Sequence, residues 1–151
     1  MKVLQVNKKA YRDYEVLEKI EAGIKLQGAE VKALKEGKGN LKGSYIRFSK
    51  NKPFLIGFSL PAYSKSAEVF HYDQARARDL LLNTHEIKSL QGKVSQKGYT
   101  VTPLKIYSNE RGLIKVLIGV AKGKQKSEKK EDLMKKQAER AMRKTLKNTR
   151  Y

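Results

Sequence analysis

Apolar and polar side chains alternate with a period of two through most of residues 1–120, and the pattern stops at Gly123. That period belongs to a β-strand with one buried face, so this part of the chain is held to sheet structure rather than to a helical bundle. In the first run Val16, Ile20, Ala22, Ile24 and Leu26 fall on one face, with Glu15, Lys19, Glu21 and Lys25 on the other. Residues 45–48 and 54–60 flank Lys50-Asn51-Lys52 as a hairpin, and the second run places Phe54, Ile56, Phe58 and Leu60 on one face. Residues 100–107 and 113–121 flank the connector Asn109-Glu110-Arg111-Gly112, with Ile114, Val116, Ile118 and Val120 pointing one way. Pro103 has no N–H to give a ladder, which predicts an edge or a bulge there.

Helical spacing interrupts the strands. Residues 28–36 predict a short helix with Val31 and Leu34 inward, closed by Gly37. Residues 74–82 and 84–97 predict a second helical region, with Ile87, Leu90 and Val94 as one buried stripe and Gly98 as its stop. The fold expected is mainly β with helices: a closed antiparallel OB-like β-barrel with about three capping helices, because closure removes the exposed edges of a short sheet. It occupies residues 1–123 and is followed by a disordered basic C-terminal tail, residues 124–151.

The stretch 122–151 holds twelve Lys or Arg against four acids and no aromatic before Tyr151. It buries too little apolar surface to offset its ordering entropy, so the tail is expected to be disordered when free. Met134, Ala138, Ala141 and Thr145 recur at helical spacing among Lys135, Lys136, Arg140, Arg143, Lys144 and Lys147, which predicts a helix once phosphates neutralise the cations. The whole chain carries 34 basic and 15 acidic residues, a formal +19. Without the tail stretch the balance is still 22 against 11. Such a surface points to a nucleic acid as partner. A membrane fits less well: the longest apolar stretch, 113–121, contains Lys115, and Met1 to Val6 offers only a stub where a signal peptide needs an apolar core. The absence of cysteine excludes disulfides, thiolate zinc and thiol catalysis. His71 and His85 stand apart with no nucleophile or metal-ligand spacing beside them, so no enzyme, metal or cofactor is expected. A soluble, cytoplasmic protein that binds nucleic acid fits the whole.

A series of short segments stands in order along the chain: Glu21-Ala22-Gly23-Ile24, Leu26-Gln27-Gly28, Glu30-Val31-Lys32, Gly37-Lys38-Gly39-Asn40 and Ser44-Tyr45. The series continues with Arg76-Ala77-Arg78-Asp79-Leu80-Leu81-Leu82-Asn83, Gly98-Tyr99-Thr100-Val101, Pro103-Leu104 and Gly119-Val120-Ala121-Lys122-Gly123-Lys124. Each is weak alone, but the ordered set spans nearly the whole chain and is specific. It resembles the SsrA-binding (small protein B) family, the partners of transfer-messenger RNA in bacterial ribosome rescue.

The resemblance implies an OB-type barrel that binds the tRNA-like domain of transfer-messenger RNA. It also implies a tail that enters the ribosomal A site, decoding centre and vacant mRNA channel in trans-translation. Elongation factor Tu and alanyl-tRNA synthetase would be reached through the RNA. By the same resemblance Glu21, Leu81 and Asn83 belong to the RNA-binding surface. The acid-basic-basic motif early in the tail matches Glu128-Lys129-Lys130 where Asp-Lys-Arg is commoner; charge is kept, but Lys130 lacks the planar fork of Arg. Lys124 and Lys126 complete the tail's ribosome-binding set.

On the residues themselves, Glu21 reads as a solvated partner of Lys19 or Lys25, or as an acceptor for base amino groups. Three consecutive leucines cover about 200° of a helix, wider than the roughly 100° stripe a core needs, so one of Leu80, Leu81 and Leu82 is expected to be exposed. Asn83 precedes Thr84-His85-Glu86 as a capping box, a role compatible with RNA contact. Lys32, Lys35, Lys38, Lys42, Arg76 and Arg78 read singly as solvated charges and as a set as phosphate contacts, joined by Asn40 from its matching segment. Tyr45, Tyr63, Tyr72 and Tyr99 are aromatic candidates for stacking, none singled out. The rival reading is a constitutive ribosomal or general OB-fold RNA-binding protein.

Overall fold

A computed structural model of the chain describes residues 1–61 and 73–123, together with Gln137 and Arg140. The elements run β1 (Lys2–Val6), α1 (Lys8–Asp13), β2 (Tyr14–Ile24), α2 (Gly28–Lys35), β3 (Tyr45–Ser49), β4 (Lys52–Ile56), β5 (Arg78–Leu81), α3 (Thr84–Lys97), β6 (Thr100–Ser108) and β7 (Ile114–Gly123). Seven antiparallel strands form one sheet in the order β1-β6-β7-β2-β5-β4-β3. The mainly β architecture, with three helices among the elements described, is therefore as expected.

The closed barrel is not. β1 and β3 end the strand order, and no ladder joins them among the described residues. β3 approaches β6 without pairing to it. The sheet curls around one core, and its hydrogen bonds leave two edges.

That core follows the alternation. Ile114, Val116, Ile118 and Val120 are all buried, as are Ala22 and Ile24 of β2, and Ala33 and Leu34 of α2 close over them. The β3–β4 hairpin turns on Lys50 and Asn51, both at positive φ (51° and 61°), the pair of left-handed residues a tight hairpin needs. Gly98 ends α3 at φ 67°, and Asn83 caps its start, accepting from the Glu86 N–H at 2.8 Å.

Two of these expectations are corrected, and a third is met in one of its two forms. Residues 74–82 are not helical: Arg78–Leu81 is a strand inserted between β2 and β4. The run Leu80-Leu81-Leu82 satisfies either period locally, and its two neighbours supply the ladders that decide for a strand. Phe54, Ile56, Phe58 and Leu60 do not share a face. Gly57, at φ 78°, breaks the strand after Ile56 and shifts the phase, so Pro53 and Leu55 are buried before it, and Phe58 and Leu60 after it. Pro103 marks a bulge, since the β6–β7 register slips between Pro103 and Lys105; the strand itself lies inside the sheet, between β1 and β7.

Candidate nucleic-acid interface

The sheet register gathers one row of side chains across five strands. Leu81 of β5 pairs with Gly23 of β2, Gly23 with Lys115 of β7, Lys115 with Tyr107 of β6, and Tyr107 with Val3 of β1. Residues paired in this way share a face, and their neighbours Leu80, Ile24, Val116 and Ile106 are all buried, so the row lies on the face turned from the core. Leu81 is 51 % exposed while Leu80 is 4 % exposed, so a strand's alternation, not a helix's arc, decides which leucine faces out. Gly23 makes room for it: a Cβ there would stand 3.1 Å from the Leu81 Cβ.

Glu21 lies two residues along β2 on the same face, paired with Leu117. In an antiparallel ladder the step from Gly23 back to Glu21 runs with the step from Leu81 on to Asn83, so Asn83 leaves β5 on the Glu21 side. Asn83 is exposed, and its Oδ1 is taken up by the cap, which leaves the amide N–H groups to the outside. The three residues that the resemblance assigns to RNA are thus brought together. Glu21 does not pair with Lys19 or Lys25. Its Oε2 accepts a hydrogen bond from the Tyr107 hydroxyl, which reaches over β7, and Lys25 lies 4.0 Å from Asp79 instead. Burial pushes the Tyr107 hydroxyl far above the usual tyrosine range, and the Glu21 carboxylate adds to the shift, so the proton stays on. Tyr107 is the residue that sequence reasoning missed: nothing local links positions 21 and 107.

The basic candidates divide. Arg78 is fully buried; its Nε donates to Glu30 Oε2 at 2.7 Å, Nη1 to the Phe58 carbonyl at 2.6 Å and Nη2 to the Gln74 carbonyl at 3.0 Å. Its guanidinium also lies 5.1 Å from the centroid of the Phe58 ring. Such a group is committed to the interior and presents no surface to a phosphate, so the phosphate role read for it is corrected. Arg76 donates to Glu30 Oε1 and keeps 28 % of its side chain exposed. Burial pushes the Glu30 carboxyl up, but bonds from Arg76, the Gln27 N–H and Arg78 outweigh it and hold the group below its ordinary value.

Lys32 and Lys35 are exposed on α2, whose Ala33 and Leu34 pack into the core that the Leu81 row turns away from, and Lys38 follows with an ion pair to Glu36 at 3.4 Å. Asn40 and Lys42 belong elsewhere again: with Lys8, Lys9 and Arg12 of α1 they line a basic depression beside Val6 and Asn7. The α1 cations went unread because a six-residue helix is too short to show a period. Of the tail set, Arg140 is exposed in helical conformation. Lys124, Lys126, Glu128, Lys129, Lys130, Lys135, Lys136, Arg143, Lys144 and Lys147 lie outside the described residues, as do His71, Tyr63 and Tyr72. Among the described residues there is no cluster of three or more His, Cys, Asp or Glu able to hold a metal, and no helix is long and apolar enough to cross a membrane.

Comparison with known proteins shows the family. Residues 4–148 match the family model described as SmpB protein. The SsrA-binding protein of a Nitratiruptor species is 46 % identical over 150 residues, 99 % of this chain and 100 % of that one. That of Thermosipho africanus is 47 % identical over 150 residues, with the same coverage. A solved chain described as "tmRNA-SmpB: a journey to the center of the bacterial ribosome" aligns with a TM-score of 0.65 at 48 % identity, covering 81 % of this chain and 85 % of its own. With agreement along nearly its whole length, the chain belongs to the SmpB family of SsrA-binding proteins.

Proposed function

We propose that the protein binds the tRNA-like domain of transfer-messenger RNA through the Glu21–Leu81–Asn83 face and delivers it to stalled ribosomes for trans-translation. The observation that carries this reading is the register that sets an acid acceptor, an exposed leucine and a free amide on one outer face, with Lys115 and Leu117 among them. A uniformly cationic surface would hold any RNA. A carboxylate repels phosphate and accepts only from donors such as base amino groups or the 2′-hydroxyl, so it selects. Relatives named for binding SsrA, and a solved neighbour described with tmRNA and the ribosome, support the choice of RNA.

In this account the curled sheet serves as an OB-type platform, and Lys32, Lys35, Lys38, Asn40 and Arg76 add phosphate contacts around it. The protein's bulk stands where a tRNA would carry its anticodon arm, so the complex enters an A site that holds no codon. The tail, residues 124–151, is disordered when free and folds as a helix along ribosomal RNA in the decoding centre and empty mRNA channel. Elongation factor Tu and alanyl-tRNA synthetase engage through the RNA. The protein is cytoplasmic, where ribosomes are, and contributes no catalytic group.

A competition assay at physiological salt tests the choice of partner. The tRNA-like domain should displace an unrelated structured RNA at far lower concentration, and with about six phosphates neutralised log affinity should fall with log salt at a slope of roughly −4 to −5. Equal competition by the unrelated RNA would instead favour a general RNA binder.

A further inference from the structure

We propose that Tyr107 is a positioning residue for RNA recognition: by donating across β7 to Glu21 Oε2, it holds that carboxylate in the one orientation in which its other oxygen accepts from the RNA. The inference rests on the RNA-contact role given to Glu21 above.

Glu21 is exposed on its strand, where an unrestrained glutamate would sample many rotamers and lose that freedom on binding. Tyr107 is of the opposite kind. It is 6 % exposed, fixed in the row between Lys115 and Val3, and its ring has little room to move. A rigid donor on β6 meeting a mobile acceptor on β2 transfers order from the core to the surface, so the carboxylate is set before RNA arrives. The raised Tyr107 hydroxyl keeps its proton, so the group is a constant donor that never repels its partner. The pair borders a depression also lined by Met1, Asn109, Glu110 and Arg111, which leaves an approach for an RNA group beside Glu21. The interaction removes no net charge and touches no phosphate. Its signature is therefore specificity without a change in salt dependence.

The test measures the affinity of the full-length protein for a transcribed tRNA-like domain in four forms: wild type, Tyr107→Phe, Glu21→Gln and the double variant. Tyr107→Phe keeps the ring in place, and titrations are run well below the lowest melting temperature of the set. Loss of the hydroxyl should weaken binding about tenfold, the scale of one charge-assisted hydrogen bond, with the salt slope unchanged. The double variant should bind no more weakly than Glu21→Gln alone, because the tyrosine acts only through the carboxylate. Wild-type affinity in Tyr107→Phe beside an impaired Glu21→Gln would overturn the positioning role alone, as would losses that multiply in the double variant. Wild-type affinity in Glu21→Gln would remove the RNA-contact role, and this inference with it.

Discussion

Glu30→Gln should lower the folding stability by about 3–5 kcal/mol, the largest loss expected from any single polar substitution among the described residues. Glu30 and Arg78 are both fully buried, so the change takes from the Arg78 guanidinium the buried carboxylate that pairs with it at 2.7 Å. It also turns one acceptor oxygen into an amide N–H₂ that faces either the Arg78 N–H or the N–H groups of Arg76 and Gln27. Refilling both positions with leucine and methionine would not restore the fold fully, because the carbonyls of Phe58 and of Arg76 (at 3.2 Å) would lose the Arg78 N–H that bonds them, while that of Gln74 would keep only the Leu60 N–H at 3.0 Å. Thermal melting should show the Glu30→Gln midpoint at least about 10 °C below wild type. The exposed pair Lys122–Glu15, at 3.3 Å with each side chain about half open to water, gives the control; Glu15→Gln should change stability by less than about 1 kcal/mol.

The sign of the pH dependence follows from the same site. The Glu30 carboxyl lies below its ordinary value of 4.5 in the folded protein, so the unfolded chain takes up a proton first as pH falls. The stabilisation is complete above that value and is lost as pH drops through the folded one. Urea titrations over that range should show wild type losing stability more steeply than Glu30→Gln. Parallel curves would show that the carboxylate is not held as described.

Truncation after Gly123 should abolish peptide tagging on stalled ribosomes while leaving affinity for the tRNA-like domain within a few-fold of wild type. The proposed RNA-selecting face, Glu21, Leu81, Asn83 and Tyr107, lies wholly before the cut, as do all seven strands. What the cut removes is positive charge, which adds a sequence-independent attraction, so a shallower salt slope should accompany the modest loss in affinity. Tagging on the ribosome is a different task, assigned here to the tail's passage through the decoding centre. A truncated protein that tags at full rate would contradict that division of work.

The parts of the fold legible in the sequence are those whose evidence is local. The β6–β7 hairpin and the inward face of β7 follow from alternation and the Asn109 to Gly112 connector, and the start and end of α3 follow from Asn83, Glu86 and Gly98. The misread face of residues 54–60 has a local cause, the positive φ of Gly57, and the other errors involve decisions made at long range. Arg78 sits in a charged segment that resembles an RNA-facing surface, and its partner Glu30 is 48 residues away. Leu80, Leu81 and Leu82 become a strand and its exit because β2 and β4 offer edges, which no local period records. Tyr107 and Glu21 meet across an intervening strand, 86 residues apart in the chain. Whether the strand order closes is equally a matter of distant edges, and here β1 and β3 stay apart.

If RNA selection resides on the outer face of β2, β5, β6 and β7, as proposed, hydroxyl-radical footprinting of the protein, free and bound to transfer-messenger RNA, will reveal it. Protection should appear at Glu21, Leu81, Asn83 and Lys115, with lesser change around Lys8, Lys9 and Arg12. Protection confined to the α1 depression or to β3, with Leu81 as reactive in the complex as in the free protein, would contradict it.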